Sequence, residues 1–248
     1  MSENYWTKVS VGGQVTDITT KWPLKMKEIQ DQGGQYATSD ITPQGMDGIL
    51  HQTNTFAPFS LTITYRVHAY DNYDFQNIAF EMKQLLNQRD AYYVWTEKQP
   101  GRWYSVNKCD LTWTRVGAAV ADFTLAWNVW KGYSESRLST LDYGNLDHDS
   151  WAFSMGIDTD KVQYQFTSNQ FRVYNGGIDI MPEMDMPLKW SLKCTGNPVI
   201  TNNTTKRSIA YTDKPMTSDQ TLSMDGVYPY LNDEHCGRST DHGLLTLA

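Results

Sequence analysis

The sequence lacks most of what marks a secreted, membrane-bound or nucleotide-using protein. Cysteine is scarce: Cys109, Cys194 and Cys236 are far apart and odd in number. They read as thiols of a chain made in a reducing compartment, not as a disulfide framework. No apolar run approaches the ~20 residues of a membrane span. The opening Met1-Ser2-Glu3-Asn4 has no basic stretch and no apolar segment, so a secretory leader is not expected. The sequons at Asn202 and Asn203 are then chance matches. Clusters of Lys and Arg are missing too, which argues against a surface that tracks phosphates or an anionic membrane. Walker loops, GxGxxG fingerprints, HExxH helices and GxSxG elbows are all absent. No nucleotide, metal or other cofactor is expected.

Aromatic residues are abundant instead. The chain of 248 residues carries 15 Tyr, 9 Trp and 8 Phe, together 13%. These side chains favour pleated surfaces. They also explain a mean hydropathy of -0.56 in a chain that is 40% hydrophobic. Acidity is uneven. Of the net charge of -7, residues 1–133 contribute -1 (12 basic, 13 acidic) and residues 134–248 contribute -6 (9 basic, 15 acidic). The acidic half reads as a solvated outer surface.

Up to about Ser60 the pattern is one of short strands and loops. Val9 to Ile18 is broken by Gly12-Gly13, a hairpin turn, and Lys25 to Gln30 is a short strand. From Phe59 to Ala69, Leu61, Ile63, Tyr65 and Val67 alternate with Thr62, Thr64, Arg66 and His68, a strand with one buried face. Phe75, Ile78, Met82, Leu85 and Leu86 then make the single apolar stripe of a helix. Asp71, Asn72 or Asp74 caps its start. Strands are expected at Tyr92–Lys98, Arg102–Asn107, Leu111–Arg115 and Asp122–Trp130, with a turn at Gln99-Pro100-Gly101. That order describes an α+β, sandwich-like domain. The polar stretch Gly132–Asp149 reads as a linker. Beyond it, strands are expected at Val162–Phe166, Gln170–Tyr174, Leu188–Lys193, Val199-Ile200, Ser208–Tyr211, Thr221–Met224 and Val227–Leu231, the rhythm of a β-sandwich.

Chemistry is thinly represented. Asp233-Glu234-His235-Cys236 with Asp241-His242 is the densest ligand cluster. It lacks the paired Cys or His of a metal motif, and a polar loop is the preferred reading. Asp158/Asp160 and Glu183/Asp185 are paired carboxylates of the kind glycosidases use, but turn-capping acids explain them better. Tyr92, Tyr93, Trp95, Trp103, Tyr104, Trp113, Trp127 and Trp130 crowd neighbouring strands and fall on both faces. Core packing accounts for some. Trp95, Trp103, Tyr104 and Trp130 are the candidates for a protein interface, where aromatics supply large area at low entropic cost.

Two stretches together resemble the distal tail (Dit) proteins of siphophages that infect Gram-positive bacteria. The first runs from Gly45-Met46-Asp47-Gly48 through Phe59–Ala69, the Asp74–Asn87 helix and the Tyr92–Val106 hairpin. The second runs from Phe171-Arg172-Val173-Tyr174-Asn175-Gly176-Gly177 through Val199–Thr205 to Leu222–Val227. The resemblance implies a mainly β chain of two domains. Residues 1–133 would be an α+β, β-sandwich-like ring domain with one helix, and residues 134–248 a galectin-like β-sandwich. It implies a homo-hexamer at the virion's tail tip, made in the host cytoplasm. The ring would join the tail tube protein to the tail-associated tip protein and to baseplate or receptor-binding proteins, with DNA passing through it unread. Such a protein is not an enzyme. The alternative is a carbohydrate-binding module for host glycans, for which Trp151 and Trp190 are the only Trp residues in the second half.

Overall fold

The computed structural model describes residues 5–31, 33–45, 47–140, 163–177, 180, 186 and 188–248. The chain divides into two compact units, Met1–Met155 and Gly156–Ala248.

The first unit is built on a seven-stranded antiparallel sheet. Its strands are β1 (Thr7–Val11), β2 (Gln14–Asp17), β3 (Leu24–Asp31), β6 (Phe59–His68), β7 (Tyr92–Thr96), β8 (Arg102–Arg115) and β9 (Val120–Ser136). The order across the sheet is β2-β1-β7-β8-β9-β6-β3. Gly12 and Gly13 turn β1 into β2 with φ of +57° and +81°, the left-handed pair that matches strand twist in a two-residue hairpin. The alternation read along Phe59–His68 is realised residue by residue. Phe59, Leu61, Ile63, Tyr65 and Val67 are buried, against Phe123, Leu125, Trp127 and Val129 of β9. Between β3 and β6 the chain leaves the sheet as a two-stranded arm, β4 (Gln35–Ala37) with β5 (Thr55–Ala57).

One long helix, α2 (Asn72–Leu86), covers the buried face; a four-residue helix, α1 (Ile18–Lys21), precedes β3. Asp71 caps α2, its Oδ1 accepting from the Asp74 N–H at 2.8 Å, while Asp74 Oδ2 accepts from the Tyr70 N–H at 2.8 Å. Phe75, Ile78, Ala79, Met82 and Leu86 are buried into the sheet, so the apolar stripe does what its spacing required. Trp22 Nε1 donates to Glu81 Oε2 at 2.9 Å and ties the approach to β3 onto the helix.

Three expectations are corrected. Arg102–Asn107 and Leu111–Arg115 are one strand, because register shifts at Tyr104/Val106 and Val106/Lys108 absorb the break in alternation. Gly132–Ser136 is not linker but the end of β9, pairing with Arg102–Tyr104 through Ser134–Ser136. Residues 163–174 are not assigned to a strand: Phe166 stacks on Phe171 at 4.2 Å and the Tyr164 hydroxyl donates to the Tyr174 carbonyl, and among the described residues no ladder includes them.

The described part of the second unit has a four-stranded sheet and a two-stranded one. The former, in order, is β10 (Lys189–Leu192), β13 (Leu222–Asp225), β14 (Tyr228–Leu231) and β15 (Glu234–His235); the latter is β11 (Val199–Asn202) with β12 (Arg207–Ala210). Tyr211, Met216 and Leu222 form its small core, lined by Trp190, Cys194, Leu231 and Cys236. Leu247 pairs with Ile180 as an isolated bridge, so the last apolar run is used in pairing without becoming a full strand. The chain is mainly β with one long helix, as its sequence led us to expect.

Candidate interaction surfaces

The aromatic residues of β7 to β9 divide by strand parity. Tyr92, Val94, Tyr104, Val106 and Trp127 face the helix side and are buried. Tyr93, Trp95, Trp103 and Trp130 take the other side. There Tyr93 stacks on Trp103 with centroids 4.1 Å apart, and Trp95 meets Trp103 edge-on at 6.2 Å. The guanidinium of Arg137 lies 4.9 Å over the Trp95 ring, held there by bonds from Arg137 to the Pro100 and Gly101 carbonyls. Trp130 Nε1 donates to Ser105 Oγ at 3.0 Å. Beside it Lys131 and Glu135 form an ion pair at 2.9 Å with both side chains largely covered. Burial alone would depress the Lys131 ammonium, but the Glu135 hydrogen bond and charge beside it outweigh that and raise it.

This geometry sorts the four aromatic candidates. Trp95 is 2% exposed and Tyr104 8%, the latter packed edge-on against Phe59 and bonded to Gln99. Neither has area to give a partner. Trp103 and Trp130 keep partial exposure on a rigid aromatic floor. No sequence signal separates the pairs, since Trp103 and Tyr104 are adjacent and only the pleat assigns their faces.

A second surface is the β4–β5 arm. Its root is an aromatic stack, Tyr36 on Phe56 at 5.3 Å and Phe56 against Tyr133 at 5.7 Å. Gly132 makes this approach possible. Its φ is +77°, and a Cβ there would stand 2.6 Å from the Ala57 carbonyl oxygen. Past the root, the described residues between 34 and 55 are almost wholly exposed, and paired hydrogen bonds link Ile41 and Leu50 at 3.1 and 2.8 Å.

The polar side of β3, β6, β8 and β9 is neutralised internally. Asp122 takes a forked bond from Arg66 at 2.8 and 2.9 Å and a third from Lys27 at 2.8 Å. The Arg66 hydrogen bonds, with Lys27, hold the Asp122 carboxyl down at about 2. Thr64 meets Thr124 at 3.4 Å, and Asn128 donates to Asn107 at 2.8 Å.

Among the described residues the remaining candidates do not converge on a reaction centre. Asp233 sits with Asn232 in the β14–β15 turn, φ +67° and +51°, a hairpin absent from the sequence-based expectation. Asp241 accepts from the backbone N–H of Ala210 and of Gly243, and those bonds lower its carboxyl. Among the described residues no group of three or more His, Cys, Asp or Glu is placed to hold a metal. Asp158, Asp160, Glu183, Asp185 and Trp151 lie outside the described residues. Trp190 is half-buried against the second core.

A seven-stranded antiparallel sheet roofed by one helix, followed by a smaller unit whose described residues are mainly β, is the fold class this chain presents. Residues 13–125, within the first unit, match the model of the phage tail protein RIFT-related domain family. The whole chain resembles the solved structure of the SPP1 Dit protein, described as a paradigm of hub adsorption apparatus in Gram-positive infecting phages. The TM-score is 0.57 at 10% identity, covering 94% of this chain and 86% of that one. Two structures of the phage p2 baseplate in its activated conformation also align, both at TM-score 0.40. The strontium form is 10% identical over 92% and 83% of the two chains, the calcium form 9% identical over 96% and 88%. Comparison with curated proteins returns no match. The distal-tail resemblance read from the sequence is borne out by the family match and the SPP1 Dit fold together.

Proposed function

We propose that this protein is the hub of a long-tailed phage's tail tip. Copies of the first unit form a hexameric ring that continues the tail tube and lets DNA through. The second unit carries the tail-tip or receptor-binding apparatus. The observation behind this reading is the phage tail domain at residues 13–125, set in a chain whose fold follows a known hub over nearly its whole length. The distribution of charge agrees with it. Like-charged copies repel on closing a ring, and the near-neutral residues 1–133 would be the part packed together. Trp103 and Trp130 belong to the contact surfaces, with Trp95 and Tyr104 holding the strands beneath them. The role needs shape and symmetry, not catalysis.

Light scattering on the purified chain, alone and with its tail-tip partner, tests this. A hexamer of the 28.4 kDa chain in either condition is the expected result. A monomer in both, binding host glycans, would overturn it in favour of a carbohydrate-binding module.

A further inference from the structure

Asn175 is followed by Gly176 and Gly177, and no other Asn in the chain precedes a glycine. Its side chain turns back on its own backbone, Oδ1 accepting from the Gly177 N–H at 3.1 Å. Asn makes this turn readily because its amide reaches the N–H two residues on. The Gly176 nitrogen lies inside the ring that this bond closes, close in the chain to Asn175 Cγ. Among the described residues the Gly176 N–H donates no hydrogen bond, so its nitrogen is not held elsewhere. Gly176 and Gly177 are both exposed to water. Glycine also leaves the nitrogen of residue 176 open, whereas a Cβ there would meet the Tyr174 ring at 3.2 Å. A nucleophile, an electrophile and a donor on the electrophile's oxygen are therefore gathered in three consecutive residues.

We propose that Asn175 is a site of spontaneous covalent modification, converting to an aspartyl or isoaspartyl residue without an enzyme. Hydroxide removes the Gly176 amide proton, and that nitrogen attacks Asn175 Cγ. The new C–N bond pushes the carbonyl electrons onto Oδ1. There the Gly177 N–H already donates, a preorganised partner for the charge that develops. The Cγ–Nδ2 bond then breaks, the departing nitrogen takes up a proton and leaves as ammonia, and a succinimide remains. Water adds to either carbonyl of the succinimide, breaks that carbonyl's bond to the Gly176 nitrogen and returns a proton to it. The balance is one water consumed and one ammonia released. Opening at Cγ gives aspartate. Opening at the backbone carbonyl gives isoaspartate, in which the chain runs through the former side chain. The missing Cβ of glycine gives the backbone the freedom to reach the closed ring. Either product carries a new carboxylate. It raises the acids of residues 134–248 from 15 to 16 against 9 basic residues, a net of -7 in place of -6. Isoaspartate also lengthens the backbone by a methylene next to Tyr174, whose carbonyl accepts from the Tyr164 hydroxyl at 3.1 Å. The chemistry is independent of the hub reading. In a particle that makes no new protein, the change accumulates with age.

The test ages the folded, full-length chain at mildly acidic and mildly alkaline pH, digests it with trypsin and follows the peptides by mass spectrometry. Cleavage after Arg172 and Lys189 releases residues 173–189, in which Asn175 is the only amide side chain. Cleavage after Lys161 and Arg172 releases residues 162–172, which carry exposed Asn169 followed by Gln170 and serve as the control. In the expected result, residues 173–189 gain the mass of a hydroxyl in place of an amino group. The converted fraction grows with time and grows faster at alkaline pH, while residues 162–172 stay unchanged. The converted peptide elutes as two species, one of which matches the peptide from Asn175→Asp. Conversion slows in Gly176→Ala and is lost in Asn175→Gln, whose longer side chain closes a larger ring. A peptide 173–189 that stays unconverted at alkaline pH would overturn the proposal. So would conversion no faster than that of Asn169, or conversion undiminished in Gly176→Ala. Circular dichroism checks folding of each variant, and the two wild-type peptides keep the test decisive where a variant misfolds.

Discussion

Asp122 shows how a single side chain fastens an edge strand. It receives Arg66 from its neighbour β6 and Lys27 from β3, the outermost strand on that side. Its carboxyl is lowered from 3.8 to about 2, first by the Arg66 hydrogen bonds. A depressed carboxylate stabilises the fold above its unfolded value and loses that contribution as pH falls through the folded one. Asp122→Asn should therefore cost about 1 kcal/mol at pH 7, a figure reduced for solvent screening of partly exposed partners. The difference from wild type should shrink between pH 4 and 2, as urea unfolding at several pH values would show. Gly132 is the other decisive residue. Gly132→Ala would combine a positive φ with a Cβ 2.6 Å from a carbonyl oxygen, at a cost of about 1–3 kcal/mol. The strain falls on the arm root, so limited proteolysis should cut the 34–57 region faster in this variant. The sequence marks Gly132 only as a loop-former. That its place is taken by another strand's backbone is a long-range fact.

At the scale of elements, α2 is the part the sequence specified best. Its stripe, cap and length all follow from local spacing. Removing the cap with Asp71→Ala should cost about 1 kcal/mol. Met82→Ala, at a fully buried position, should cost about 2–5 kcal/mol. Chemical denaturation measures both. The strands behaved differently. Phe59–His68 was legible because one face is buried along its whole length. β8 was not, because polar Asn107, Lys108 and Asp110 interrupt the apolar pattern where the strand is bulged and its outer face meets solvent. β15 was hidden because two residues carry no periodicity. The turn that makes it depends on Asn232 and Asp233 adopting left-handed backbone, which reads equally well as a polar loop.

For the whole molecule, the hub reading predicts an assembly held mainly by apolar contacts between copies of the nearly neutral residues 1–133. Raising ionic strength from 0.1 to 1 M shortens the screening length from about 10 to about 3 Å. Sedimentation should find the final oligomer unchanged. Dissociation by salt would instead point to an interface carried by charge.

The sequence by itself determined the mainly β class, the single long helix, most strand positions and the distal-tail resemblance. These depend on local periodicity and on motif order, both of which a linear chain displays. Only the tertiary structure decided which aromatics are available. Trp103 and Tyr104 are neighbours in sequence, yet the pleat sends one to a partly open face and the other into the core, and Arg137 closes over Trp95 from beyond the end of β9. It also decided that residues 34–57 form an arm and that β9 extends to Ser136, because both depend on pairing between segments far apart in the chain.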